Sequence, residues 1–192
     1  MNLGKLDLEM TAKLLKTAFV LFSLLALFLM TRPGIGRIFY SKNEAMHLAF
    51  GDDAEVEMQP LFLTEQQIAD LEKSARVKFD SALFTFYVGR RNGEITGYAA
   101  IESHTVRTKP ETLLILLSPD GELENIEVLA FHEPPEYQPG AAWLAQFYHR
   151  ALADMDFNSG IHGITGATLS AQSALTSVRK VMAVYQLVVK KN

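Results

Sequence analysis

Leu83-Phe84-Thr85-Phe86-Tyr87-Val88-Gly89-Arg90-Arg91-Asn92-Gly93-Glu94-Ile95-Thr96-Gly97-Tyr98-Ala99-Ala100-Ile101 is the stretch that decides the fold. Leu83–Val88 is a run of aromatic and β-branched residues, and Glu94–Ile101 returns after Asn92-Gly93. Asn-Gly supplies two residues that tolerate positive φ, which a tight two-residue hairpin requires. A second pair of the same kind follows: Thr112–Leu117, the turn Ser118-Pro119-Asp120-Gly121, and Glu122–Phe131. Two adjacent hairpins predict an antiparallel sheet.

Helical signals flank this block. Asn43 is placed to cap a short helix through Phe50, with Gly51 just past its end. Thr64-Glu65-Gln66-Gln67 has the Thr-x-x-Gln form of a capping box, and Ile68 and Leu71 then lie three apart on one face. After the polar, proline-containing stretch 131–140, a helix is expected near Ala141–Arg150, in which Trp143 and Phe147 form a core pair four apart. A last helix runs from about Leu169 to Val189, with Leu175, Val178, Met182, Tyr185 and Val189 recurring at three- and four-residue spacing. Strands clustered between helices argue an α+β fold, antiparallel hairpins with flanking helices, over a parallel βαβ arrangement.

Ahead of this domain, Thr17–Thr31 reads TAFVLFSLLALFLMT, interrupted only by Ser23. Extended back to Ala12 it reaches the length a helix needs to cross the hydrocarbon core, about 20 residues at ~1.5 Å each. Lys13 and Lys16 can snorkel to the interface. No pair of small residues precedes a cleavage point and the run ends on bulky Phe28, Leu29 and Met30, so an uncleaved anchor is expected. The expected organisation is a short segment 1–11, a transmembrane anchor 12–31, a linker 32–42 opened by Arg32-Pro33-Gly34, and a domain over 43–192. Lysines and arginines balance on the two sides of the span, so charge gives no orientation.

Composition excludes several functions. Of the formal net charge of −4, residues 1–32 carry +2 and the remainder −6. An acidic domain lacking a Lys/Arg-rich stripe is unsuited to nucleic acid. The absence of cysteine removes disulfides, thiolate metal sites, iron–sulfur clusters and thiol nucleophiles. The five histidines, His47, His104, His132, His149 and His162, contain no i,i+4 pair, so no metal site is expected. No Ser/His/Asp arrangement is evident, and no residue is assigned a catalytic role.

The segment with chemical interest is Gly160-Ile161-His162-Gly163-Ile164-Thr165-Gly166-Ala167-Thr168-Leu169-Ser170, small residues feeding a helix. Gly163 and Gly166 permit tight or left-handed backbone, Thr168 or Ser170 can cap the helix, and such a helix start attracts phosphate. Spacing alone also fits an ordinary N-cap after a flexible loop. Walker and dinucleotide fingerprints are both missing. Arg107 and Lys109 are two cations that could steady phosphate or ring carbonyls, or simply form a solvated strand edge.

Thr165-Gly166-Ala167-Thr168-Leu169-Ser170 resembles the Ser/Thr-Gly-Ala-Thr-x-Ser/Thr motif of the FMN-binding domain family, which includes the G subunit of Rnf complexes and the C subunit of sodium-pumping NADH:quinone oxidoreductase. The resemblance covers about residues 40–190. His132-Glu133-Pro134-Pro135 is similar to the family's His/Glu-Thr-Pro-Gly turn, and Trp143–Phe147 to the helix after it. The match implies FMN as cofactor, joined through its phosphate to Thr168 by a dedicated flavin transferase. Gly163, Thr165, Gly166, Ala167, Leu169, Ser170, His162 and Glu133 are implied as further cofactor-binding residues. It also implies electron relay with membrane redox partner proteins. The implied location is the cytoplasmic (inner) membrane, single-pass, with the domain on the extracytoplasmic, periplasmic side. His162 stands where the family motif usually has Asp, six residues before the acceptor threonine, and Pro134 and Glu136 alter the Thr-Pro-Gly turn. Two other functions therefore stay open: an anchored reductase with dissociable FMN, and a flavin-free accessory subunit.

Overall fold

The computed structural model describes residues 14–19, 21–23 and 37–191. The chain divides into two units, Met1–Gly34 and Ile35–Asn192. In the first, residues 14–19 and 21–23 are helical, with Leu14, Leu15, Phe19, Leu21 and Phe22 exposed. Among the described residues no helix is long and apolar enough to cross a membrane. Most of the expected anchor 12–31 lies outside the described residues.

The second unit is α+β, built on one six-stranded sheet whose neighbouring strands all pair antiparallel. The strands are β1 (Arg37–Ile38), β2 (Glu55–Phe62), β3 (Leu83–Arg91), β4 (Glu94–Thr105), β5 (Pro110–Leu117) and β6 (Leu123–Phe131), in spatial order β1-β6-β5-β4-β3-β2. Both expected hairpins are present. Arg91 pairs with Glu94 across Asn92 (φ 53°) and Gly93 (φ 84°), so both turn residues are left-handed as the Asn-Gly dipeptide allows. The second hairpin turns at 118–122, with Gly121 at φ 87° packed under the Tyr185 ring.

Side chains alternate between two buried faces. Phe84, Phe86, Val88, Tyr98, Ala100, Leu113, Ile115 and Val128 enter the larger core, under the C-terminal helix. Tyr87, Ala99, Ile101, Leu114, Leu116 and Leu129 face the other way, toward α1 (Lys42–Phe50). Burial on both sides explains why β5 reads Leu-Leu-Ile-Leu-Leu rather than alternating with polar residues. Helix α1 carries the chain from β1 at one sheet edge to β2 at the other. Its Phe50 ring lies against Gly89, where a Cβ would overlap it, and Gly97 pairs with Gly89 beneath.

Several elements differ from the sequence reading. Helix α1 is capped by Ser41 rather than Asn43: Glu44 N–H donates to Ser41 Oγ (3.3 Å) and Ser41 N–H to the Glu44 carboxylate (2.7 Å). A reciprocal pair outcompetes a single cap. The expected helix at 141–150 is only α3 (Ala141–Leu144), followed by a 3₁₀ turn, Ala145–Phe147. Arg150 Nε donates to the Gln146 carbonyl (2.6 Å) and caps that end. Strand β2 went unread because Pro60 and flanking charges disguise it; it is an edge strand, exposed on both faces, where proline is tolerated. Arg37–Ile38, inside the expected linker, pairs with β6.

Helix α2 (Glu65–Ala75) has the expected capping box, with Gln67 N–H donating to Thr64 Oγ1 (3.2 Å) and Thr64 N–H to Gln67 Oε1 (2.8 Å). Helix α4 (Thr168–Val184) continues as a π-helical turn, Tyr185–Val189, and buries Leu175, Val178, Met182 and Tyr185 on the sheet. Arg179, itself buried, donates to the carbonyls of Ala75 and Met155 and so ties α2 and the preceding loop to α4.

Candidate functional site

The site forms where the glycine-containing loop enters α4. Three side chains fix that loop. Arg150 donates to the carbonyls of Ser159 (2.8 Å) and Gly160 (3.3 Å). Trp143 Nε1 donates to the His162 carbonyl (2.6 Å), and His162 N–H donates to Gln146 Oε1 (2.9 Å). Ile161, 1 % exposed, plugs the loop into the core. The loop then closes a turn in which Ala167 N–H donates to the Ile164 carbonyl (3.1 Å), with Gly166 at φ 82°. Gly163 is not left-handed; Gly166 alone of the two needs that freedom.

Helix α4 starts at Thr168, one residue earlier than the hydrophobic spacing suggests. Its N-cap is Ala167, which offers no side-chain acceptor, so neither Thr168 nor Ser170 caps the helix. Thr168 already belongs to the first turn, and its exposed hydroxyl bonds to nothing among the described residues. The helix geometry leaves the first N–H groups without intrahelical acceptors, at the positive end of the macrodipole. Gly166, Ala167, Thr168, Leu169 and Ser170 line one cavity of about 250 Å³, together with Arg107 and Tyr137. Ser170 is 1 % exposed yet lines this cavity. Of the other sequence-derived candidates, Thr165, Gly163 and His162 are exposed on the approach loop and do not line it.

The two remaining walls come from distant parts of the chain. Tyr137 ends a 3₁₀ turn, Pro135–Tyr137, entered through Pro134-Pro135. Arg107 sits at the tip of the β4–β5 turn, which Val106 N–H closes on the Lys109 carbonyl (3.1 Å). The Arg107 guanidinium lies 5.4 Å from the centre of the Tyr137 ring, and no carboxylate pairs with it among the described residues. The structure therefore places Arg107 at the helix start, not on an idle strand edge. Tyr137 went unread in the sequence; proline-rich entry to a short turn was its only signal.

Glu133 stands beside this arrangement rather than in the cavity wall. It is 6 % exposed, and its Oε1 accepts the N–H groups of Arg107 (3.2 Å), Thr108 (2.7 Å) and Lys109 (2.9 Å), with the Thr108 hydroxyl at 3.3 Å. The Thr108 N–H first, then those of Lys109 and Arg107, hold its carboxyl below the ordinary value against the opposing effect of burial.

A second polar group lies on the sheet side of α4. Ser177 Oγ is 3.0 Å from His104 Nδ1, and His104 Nε2 is 3.2 Å from Glu111 Oε2. Sequence reasoning found no such arrangement because the three residues come from β4, β5 and α4. Ser177 is 2 % exposed and Glu111 fully buried, so this is a buried hydrogen-bond chain between helix and sheet and not a nucleophile open to substrate. Among the described residues no group of three acidic or histidine side chains could hold a metal ion. Trp143 and Phe147, expected as a core pair, do pack together, with Phe147 buried, Trp143 half-buried and the rings edge-to-face at 5.0 Å.

Comparison with known proteins finds no matching family model, curated protein or solved structure.

Proposed function

We propose that this protein is a membrane-anchored flavoprotein that carries FMN on Thr168 and relays electrons between membrane and extracytoplasmic redox partners. One observation carries the reading: an exposed threonine, the open N–H groups of a long helix and a guanidinium with no carboxylate partner among the described residues converge on a single cavity. These residues fit a phosphorylated planar ligand. Thr168 would hold the phosphate, the α4 N-terminus and Arg107 would balance its charge, and Tyr137 offers an aromatic wall. FMN, when bound, supplies one- and two-electron transfer.

The Thr168 hydroxyl is accessible to a second enzyme because its neighbours Gly166 and Ala167 are small and its side chain is not spent on capping. In the attachment, a flavin transferase forms the Thr168 Oγ–phosphorus bond as the pyrophosphate P–O bond of FAD breaks. AMP leaves and the hydroxyl proton is lost. Residues 12–31 supply the anchor in the inner membrane on this reading, with 43–192 on the periplasmic side. In-gel flavin fluorescence of the denatured full chain, co-expressed with a flavin transferase, tests the proposal. A fluorescent band that disappears in Thr168→Val supports it; a dark wild-type band rejects covalent attachment. The same cavity would serve dissociable FMN, and a yellow native protein with a dark denatured band would select that reading.

A further inference from the structure

We infer that Glu133 is a positioning residue for the Thr168 cavity, acting through Arg107 and making no contact of its own with the ligand. The inference rests on the flavin-carrier reading for its ligand, but the contact it describes lies within the protein. Three successive backbone N–H groups, those of Arg107, Thr108 and Lys109, converge on one carboxylate oxygen. Such a concave set of N–H groups is an anion receptor, here filled from within the chain. Glu133 reaches it because His132 N–H donates to the Pro110 carbonyl (3.1 Å), extending the β5–β6 pairing one residue past β6.

This clasp decides where Arg107 points. The guanidinium has no ion-pair partner among the described residues, so backbone orientation and the Tyr137 ring are what keep it at the cavity. The residues after Glu133 complete the arrangement: Pro134-Pro135 starts the turn that delivers Tyr137. One five-residue stretch therefore supplies both the anchor for the arginine turn and the ring beneath the guanidinium. A negative charge whose only role is to hold a positive one near a phosphate site must be kept out of that site. Its burial among backbone N–H groups does so.

The test is a double-mutant cycle on the full chain in detergent, from cells lacking a flavin transferase. The variants are Glu133→Ala, Arg107→Ala and both together, with Glu133→Gln as the shape-conserving control. Free FMN and inorganic phosphate are the probes, read from the amide shifts of Leu169 and Ser170. Each single substitution is expected to weaken binding about tenfold, as loss of a charge-assisted hydrogen bond would. The double variant is expected to lose no more than the larger single loss. Losses that simply add would overturn the inference. Two ligand-free readouts accompany the cycle: amide exchange at Arg107–Lys109 and the Tyr137 ring shift. Glu133→Ala should speed the exchange about tenfold or more and reproduce the ring shift of Arg107→Ala, with Glu133→Gln intermediate. If the wild type binds neither probe, reversible binding at the cavity fails, and covalent attachment is decided by the in-gel flavin test. The clasp then stands if both ligand-free readouts move as stated, and falls if they do not.

Discussion

At Thr168 the local chemistry is unusual for a helix start. Threonine is a good N-cap, yet here the cap position belongs to Ala167 and the hydroxyl is left outside. A residue that neither caps nor packs contributes little to stability, so Thr168→Val is expected to shift unfolding by no more than about 0.5 kcal/mol. Thermal melting of the two proteins checks this, and a large loss would mean the hydroxyl has a structural partner. Gly166 is the opposite case. Its φ of 82° penalises any side chain although the space around it is open. Gly166→Ala should cost about 1–2 kcal/mol through backbone strain alone. An unchanged melting temperature would contradict that. Glu133 gives a pH signature. Its carboxyl is held below the ordinary value, so its stabilising effect is complete above that value. The effect is lost as pH falls through the lowered one. The stability gap between wild type and Glu133→Gln should therefore close in acid, and a gap that widened there would have the wrong sign.

At the scale of elements, the sheet and helices were legible where one local signal dominated. Asn92-Gly93 fixed a hairpin, Thr64–Gln67 a helix start, and the spacing from Leu175 to Tyr185 a buried helix. What escaped were features that only long-range pairing creates. Strand β2 alternates polar and apolar residues only over Glu55–Gln59 before Pro60 interrupts it, with neither face buried, and β1 is two residues long and exists only against β6. The site divided in the same way. The Thr168 turn is contiguous and could be read; Arg107 and Tyr137 join it only once β5–β6 brings their turns together. Packing at the centre predicts two further outcomes. Gly89→Ala would drive a methyl into the Phe50 ring and cost about 1–3 kcal/mol by overpacking, measured by denaturant unfolding. Arg179→Ala would strand the carbonyls of Ala75 and Met155 and cost about 3 kcal/mol. If Arg179→Ala left the denaturation midpoint unchanged, those two contacts would not be joining α2 to α4.

The molecule as a whole combines an apolar N-terminal segment with an acidic α+β domain that carries Arg107 in a cavity at the start of α4. The remainder beyond residue 32 carries a net −6, so a phosphorylated ligand gains little from the overall field and depends on local groups. A covalent bond removes that dependence, which is the physical sense of using a threonine ester here. The most direct measurement is the intact mass of the full chain co-expressed with a flavin transferase, followed by peptide mapping. The expected mass is increased by FMN less one water, with the addition located on the peptide containing Thr168 and absent from Thr168→Val. An unmodified mass, or a flavin mapped to any other residue, would contradict it.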